Sequence, residues 1–354
     1  MSARIGRRAF AGLALAGCAH VGFERATRRF ARVRVSRDRI VRVVQGVRPF
    51  RPAGFVVRAE ALGPKTVIHN YGHGGAGVTL SWGTAELALE LALETGHRRC
   101  AVLGCGVVGL ATARLLQRHG FDVTIYARDL PPDTTSNIAG GEWSPFSVAD
   151  RDARTPAFSA QLGRATRSSH QYFQHLIGPR YGVRWIDAYQ LSERPIEPRG
   201  SDLFPERRAL ARDEHPFGAP YCEHFSTILV EPHVYLEALL EDVRLAGAAV
   251  NVRVLHTRED VIALPEPLVL NCTGLGSREL FGDTGFVPIR GQLVFLLPQP
   301  EIDYLTIGDD LLYMFPRSDG ILLGGTLERG VESVAPDPAA VDRILAGHAR
   351  LLGA

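Results

Sequence analysis

A chain of 354 residues is long enough for two domains sharing a large buried core, and its 22% charged and 45% hydrophobic residues are ordinary globular composition. The formal net charge of +2 argues against a general nucleic-acid binder. Arginine carries nearly all the positive charge and Lys65 is the only lysine, so Schiff-base chemistry would have to use it and pyridoxal catalysis is not expected.

Residues 6–18 (GRRAFAGLALAGC) place Arg7 and Arg8 before a short apolar run, which resembles a twin-arginine export signal; residues 15–18 also resemble a bacterial lipobox with Cys18 as lipid acceptor. The expectation is an exported protein, periplasmic or lipid-anchored. The plainer alternative is the amphipathic start of a cytoplasmic protein. The run is too short to span a bilayer, and no later segment supplies about 18 uninterrupted apolar residues. Cys100, Cys105, Cys222 and Cys272 form no CxxC pair and no Cys/His spacing for zinc, so no metal site is expected. Cys105 and Cys272 read as buried thiols in strand-to-turn segments. Residues 23–32 read as a linker.

Residues 33–35 and 40–44 read as short strands. In the following GVRPFRP stretch, Arg48 and Arg51 each precede a proline, which holds the backbone extended. Either arginine can aim a planar fork at a carboxylate, or both are surface residues. Residues 67–83 (VIHNYGHGGAGVTLSWG) pack five glycines among histidines and aromatic residues, with a helical run over 84–94 behind them. Glycines admit positive φ and close ligand approach, and a helix N-terminus presents free N–H donors, so this is expected to be a cofactor loop.

An apolar strand from Cys100 leads into Gly104-x-Gly106-x-x-Gly109, an amphipathic helix and a second strand ending at Tyr126. In that context the glycines are a dinucleotide fingerprint: Gly104 makes the turn, Gly106 admits the pyrophosphate, and Gly109 lets helix and strand pack closely. Where an acidic ribose ligand is usual, this sequence has Arg128-Asp129. Thr134, Thr135 and Ser136 offer hydroxyls for phosphates or for turn caps, and Gly140, Gly141 and Trp143 follow. Residues 151–225, with a helical pattern over 158–176, read as substrate-domain material. A strand and helix over 226–240 and strands at 250–255 and 268–274 come next, the last ending where a parallel sheet presents strand ends to a cofactor. Residues 290–297 and 311–316 read as strands of a second sheet, 321–326 returns toward the cofactor, and 337–352 is a terminal helix. The expected division is an export signal and linker (1–32), a cofactor domain (60–150 and 226–285) and a substrate domain (33–59, 151–225 and 286–354).

These pieces together resemble the FAD-dependent D-amino acid oxidases. The resemblance is carried by the loop from His69 through Gly75 with Thr79, Trp82 and Gly83, and by Gly46-x-Arg48-Pro-x-Arg51-Pro. It continues through the Gly104 fingerprint, residues 134–136, Trp143, residues 271–274, residues 290–292, Tyr313 and residues 323–326. The order departs from that family, in which the arginine segment and the glycine loop close the chain; here they precede the fingerprint, so the chain reads as a circular permutant joined through residues 95–99. The resemblance implies an α/β fold with a Rossmann-like FAD-binding domain and a mixed-sheet substrate domain. It implies oxidative deamination of neutral D-amino acids to 2-oxo acids, ammonia and hydrogen peroxide, with dioxygen or another acceptor reoxidising FAD. Alternatives are a glycine oxidase or a quinone-linked D-amino acid dehydrogenase. By the same resemblance Arg48 and Tyr313 hold the substrate carboxylate and the Gly75 carbonyl receives the amine. FAD is held by Gly74, Gly75, Gly77, Val78, Thr79, Gly104, Gly106, Val107, Val108, Gly109, Arg128, Thr134, Thr135, Ser136 and Thr273. Tyr304 is the candidate for a lid tyrosine that has no match at the family spacing, Ser144 replaces a polar residue beside Trp143, and Leu327 stands where relatives acting on acidic substrates carry an arginine.

Overall fold

The computed structural model describes residues 28–197 and 202–353. In chain order its elements are β1 (Ile40–Arg48), β2 (Val56–Leu62), β3 (Lys65–Tyr71), α1 (Gly77–Glu94), β4 (Arg99–Leu103), α2 (Val107–Arg118), β5 (Asp122–Ala127), α3 (Pro156–Gln174), β6 (Val183–Ser192), β7 (Arg208–Leu210), β8 (Tyr221–Val230), α4 (Pro232–Leu245), β9 (Ala249–Val252), α5 (Arg258–Ile262), β10 (Leu268–Asn271), α6 (Ser277–Phe281), β11 (Ile289–Leu296), β12 (Tyr304–Ile307), β13 (Tyr313–Arg317), β14 (Gly320–Gly324), β15 (Glu328–Arg329) and α7 (Pro338–Leu352). Among the described residues no helix is long and apolar enough to cross a membrane.

The six-stranded sheet runs β2-β3-β10-β4-β5-β9, parallel except for the antiparallel edge strand β2. Its central strands are apolar on both faces because both are covered. Ile68, Val102 and Leu270 pack with side chains of α1, α2 and α4; Val67, Ala101 and Val269 face Val261, Leu264 and Leu280 on the other side. The nine-stranded sheet runs β1-β11-β14-β13-β12-β6-β8-β7, with β15 paired to β11; only β12 and β6 are parallel. One face, bearing Val294, Met314 and Leu323, is covered by α7 and by Phe30 and Val33. The other carries Leu293, Phe295 and Phe315 and turns toward the parallel sheet.

Several expectations change. Residues 33–35 are not a strand, because the side chain of Gln299 takes the bonds a neighbouring strand would: Arg34 N–H donates to its Oε1 (2.8 Å) and its Nε2 donates to Arg32 O (3.1 Å). Residues 28–32 are packed rather than linking. Phe30 lies edge-on to Tyr189, Phe217 and Tyr304, and Arg28 ion-pairs with Asp187. The helix after the first glycine loop starts at Gly77, seven residues earlier than the 84–94 run suggests, so Gly83 lies within it. A Cβ there would stand 1.9 Å from the Ala165 carbonyl oxygen, so this glycine serves the α1–α3 crossing. The boundary expected at 59/60 falls inside β2, and that at 225/226 inside β8, which belongs to the nine-stranded sheet. Helix α3, expected with the substrate part, packs on α1. The paired arginines and Cys18 lie outside the described residues.

Candidate active site

A cavity of about 1150 Å³ lies between the carboxyl ends of the parallel strands and the inner face of the nine-stranded sheet. That is where strand ends leave backbone groups facing a crevice. Every residue expected to hold FAD or the substrate's carboxylate and amine lines it except Gly109; the lid candidate Tyr304 and Leu327 do not.

One end is made of backbone. Gly104 closes the β4–α2 turn at φ +102°, and a Cβ there would sit 2.6 Å from the Cys272 carbonyl oxygen. Gly109 lies behind the wall: its Cβ would be 2.1 Å from the Gly104 oxygen, so any side chain would push α2 off the sheet. Gly106 caps α2, and the Val107 N–H donates to Ser136 Oγ (3.0 Å). Thr134 donates to Asn137 Oδ1 (2.7 Å) and Thr273 to Asn271 Oδ1 (2.7 Å), so both hydroxyls also hold their own turns. Arg128 is exposed and ion-paired with Asp129 (2.8 Å). A positive helix end under a turn closed to Cβ atoms suits an approaching pyrophosphate.

The glycine loop before α1 joins the two ends. Gly74 has φ +59°, and a Cβ would collide with the Ser147 carbonyl oxygen at 2.2 Å; Gly75 N–H donates to that same oxygen (3.0 Å). Thr79 Oγ1 donates to Ser144 O (2.9 Å) and accepts from Ser144 N (3.2 Å), fixing the start of α1 against the loop before Phe146. The loop's histidines are structural. His73 is fully buried beside Thr84 Oγ1 (2.9 Å), and burial pushes it down to about 3, so it is neutral. His69 Nδ1 meets Asn271 Nδ2 at 3.0 Å, behind the Thr273 turn.

The other end is made of side chains. Arg48, the last residue of β1, passes between Gly75 and Gly291; Cβ atoms there would stand 3.7 Å from its Cδ and 3.4 Å from its Nη2. Its guanidinium lies beside the Tyr313 hydroxyl, close enough to act on it electrostatically. Burial raises that hydroxyl above its ordinary value and Arg48 offsets part of the rise, so Tyr313 remains a protonated donor. The Tyr313 ring stacks on Phe315 (4.9 Å) and lies across Gly324, where a Cβ would be 1.9 Å from a ring carbon. The Gly-Gly-Thr stretch therefore makes room for a tyrosine.

Arg51, three residues on, is spent elsewhere. It ion-pairs with Asp283 (2.9 Å) and donates to Gly54 O (2.9 Å), while Tyr71 donates to the same carboxylate (2.8 Å). Burial acts to raise the Asp283 carboxyl, but the Gly285 N–H, Tyr71 and Arg51 together hold it below its ordinary range.

Tyr304 is not a lid residue. It is 2% exposed, donates to Ala31 O (2.8 Å) and packs with Phe30 in the core on the far face of the sheet. In its place the mouth is bordered by a short turn in which Asp310 and Leu311 have φ +54° and +62°. Lys65 donates to Glu266 O (2.7 Å) and is not on the cavity wall. Three cavity carboxylates have no role expected from the sequence: Glu142, Glu279 and Asp310. The available signal for the first was an acid set between Gly141 and Trp143 in an otherwise apolar stretch.

The FAD dependent oxidoreductase (DAO) family model matches residues 19–91 and 99–354. A D-amino-acid oxidase of Rubrobacter xylanophilus is 33% identical over 254 residues, covering 70% of this chain and 75% of that protein. The D-aspartate oxidase of Homo sapiens is 31% identical over 256 residues, covering 68% and 71%. Among solved structures, the glycine oxidase of Bacillus cereus superposes with a TM-score of 0.54 at 16% identity, over 73% of this chain and 78% of that one. An L-proline dehydrogenase of P. horikoshii gives 0.53 at 13% identity, over 72% and 77%. At these identities the structures speak for the fold alone.

Proposed function

Because the chain belongs to the FAD dependent oxidoreductase (DAO) family, with FAD as its cofactor, we propose that it oxidises D-amino acids. With water and dioxygen the products are 2-oxo acids, ammonia and hydrogen peroxide. The observation that carries this reading is Arg48 beside Tyr313 on the wall of the same cavity that holds both glycine turns.

When bound, FAD supplies a two-electron acceptor for the hydride leaving the substrate Cα. The chain's own residues supply position. Arg48 presents a planar fork to the α-carboxylate, and Tyr313 beside it donates to the same group. The Gly75 carbonyl receives the amine. Hydride departs only from the neutral amine, so turnover rises with pH. Leu327 follows Thr326 with no basic group for a substrate carboxylate, which favours neutral over acidic side chains. The test is anaerobic addition of D-alanine and of L-alanine to the purified yellow protein. D-Alanine is expected to bleach the flavin and L-alanine not; a flavin that no D-amino acid bleaches refutes the proposal. Stoichiometric peroxide on readmitting air identifies dioxygen as acceptor.

The circular permutation is part of the same reading. The family match breaks between residues 91 and 99, at the turn joining α1 to β4. The opposite pair of ends is adjacent: Phe30 and Val33 share a core with Leu351 and Leu352, and Arg37 ion-pairs with Asp342. A gene reordered to start at residue 99, with residue 352 joined to 33, is expected to take up FAD and turn over within about threefold of the parent. Export also belongs here, supported by a family match that starts at residue 19, directly after Cys18. Changing Arg7 and Arg8 to lysine is expected to retain the protein inside the cell, and Cys18→Ser to release it from membranes; unchanged fractionation counts against both.

A further inference from the structure

Glu142 has no role in the reading above, yet its backbone is held firmly. Gly141, at φ +101°, lies so close to β8 that a Cβ would be 1.9 Å from the Val230 carbonyl oxygen; Glu142 itself bridges to Leu229. Trp143 next to it turns into the core and is 1% exposed, and alternation along an extended segment sends Glu142 to the other side, onto the cavity wall. There its carboxyl meets only hydroxyls: Thr227 Oγ1 at 3.5 Å and the side chain of Ser144. Burial pushes the carboxyl up to about 7, those two hydroxyls offset part of the rise, and no basic group contributes. A second carboxylate, Asp310, borders the same cavity on the turn that leads into Tyr313.

The basic groups are elsewhere. Of the arginines lining the cavity, Arg128 and Arg253 follow β5 and β9 at the nucleotide end, and Arg278 is paired with Glu332 (2.6 Å). Arg48 remains, and the α-carboxylate neutralises it. Glu142, two residues past the Gly140 that abuts Tyr313 and Phe315, and Asp310, three residues before Tyr313, then stand on the wall with no other lining arginine among the described residues to match them. A partly buried carboxylate without a counter-charge is unfavourable until a cation arrives, and an arriving cation restores its ionised form.

We propose that the pocket beside Arg48 selects D-amino acids whose side chain ends in a cation, an amine or a guanidinium, with Glu142 as the counter-ion on the wall and Asp310 at the mouth. This rests on Arg48 being the carboxylate ligand and deepens that reading: acidic side chains are excluded, and basic ones rank above neutral ones of equal length.

The experiment compares kcat/KM of the holoenzyme for matched pairs, D-lysine against D-norleucine and D-arginine against D-citrulline, with D-alanine as reference. The cationic member is expected to exceed its neutral partner by at least about tenfold, the scale of a desolvated charge pair. Glu142→Gln is expected to bring that ratio close to one by lowering the D-lysine value far more than the D-norleucine value, and Asp310→Asn to reduce the ratio less. Ratios near one in the parent enzyme overturn the inference while oxidation of D-alanine leaves the broader reading intact. Equal losses on both members of a pair in Glu142→Gln overturn it too, because they mark a structural role. Oxidation of none of these substrates overturns both.

Discussion

At the β4–α2 turn the cavity wall is main chain: Gly104 and the Cys272 carbonyl lie so close that no Cβ fits, and the first amides of α2 face the opening. Some way along the same wall, at Arg48, the contacts are side chains, each seated on a glycine that makes room for it: Arg48 against Gly75 and Gly291, Tyr313 across Gly324. Glycine is used at both ends for opposite purposes, to bring backbone close in one and to let a large side chain lie flat in the other. The backbone-built end discriminates by shape and tolerates no added atom. The side-chain-built end discriminates by charge and loses function one residue at a time.

The sharpest way to break this contrast is Gly109→Val. Its added atoms would meet the Gly104 carbonyl, which is main chain and cannot swing aside, so the expected outcome is complete loss of FAD-containing soluble protein, read from the flavin absorbance. Gly120→Ala is the control: φ is +77° there but nothing lies within 4 Å, so FAD is retained at a stability loss of about 1–2 kcal/mol.

Next in size is Arg48→Ala. Removing one partner of a desolvated charge pair costs about 2–5 kcal/mol, a loss of tens to thousands of fold in kcat/KM with FAD still bound. Arg48→Lys should restore only part, for want of the planar fork. Arg51→Ala should do the reverse: it removes the partner of Asp283, so melting temperature falls while turnover at low temperature is kept. If Arg48→Ala oxidises D-alanine within about threefold of the parent, Arg48 is not the carboxylate ligand.

Tyr313→Phe keeps the ring on Gly324 and deletes one donor to a charged group. That is worth about 1.5–3 kcal/mol, expected mainly in KM. An effect confined to stability would contradict the donor role.

The smallest effect concerns the fold alone. Glu142 is protonated in folded and unfolded chains at pH 4; as pH rises the unfolded carboxyl ionises first, near its ordinary 4.5, while the folded one holds its proton to about 7. Folding therefore loses stability from Glu142 between those values and no more above them. Glu142→Gln should match the parent in Tm at pH 4 and exceed it at pH 8, by roughly 1–3 kcal/mol of stability. A difference independent of pH would mean that the carboxyl is not shifted.

Legibility followed the same division. Gly104-x-Gly106-x-x-Gly109 could be read because its geometry demands particular residues at fixed spacing, and strands such as β4 and β10 because burial on both faces leaves unbroken apolar runs. Gly83 misled: a glycine within a helix marks a close crossing with α3, and nothing local separates that from a loop glycine. Arg48 and Arg51 have the same proline context, and only the position of Asp283, over 230 residues away, decides which one is free. Tyr304 has suitable chemistry, but pairing with β6 places it among Phe30 and Tyr189 on the covered face. Glu142 went unnoticed because a carboxylate acquires meaning only from what does not surround it.

The place of β10 in the parallel sheet bears on how the protein comes to exist. Strands β3 and β4 do not touch; β10 lies between them, and its Asn271 and the following Cys272 complete both glycine turns. A ribosome delivers both turns early but this wedge much later, and until then β3 and β4 lack the strand that pairs with each, a gap of about 9–10 Å. The nascent chain therefore carries a complete flavin fingerprint with no capacity to use it. Chains arrested before residue 268 should emerge colourless, and those extended past the Thr273 turn should be the first to retain the dye, which makes cofactor uptake a late event of synthesis despite a motif that is read early.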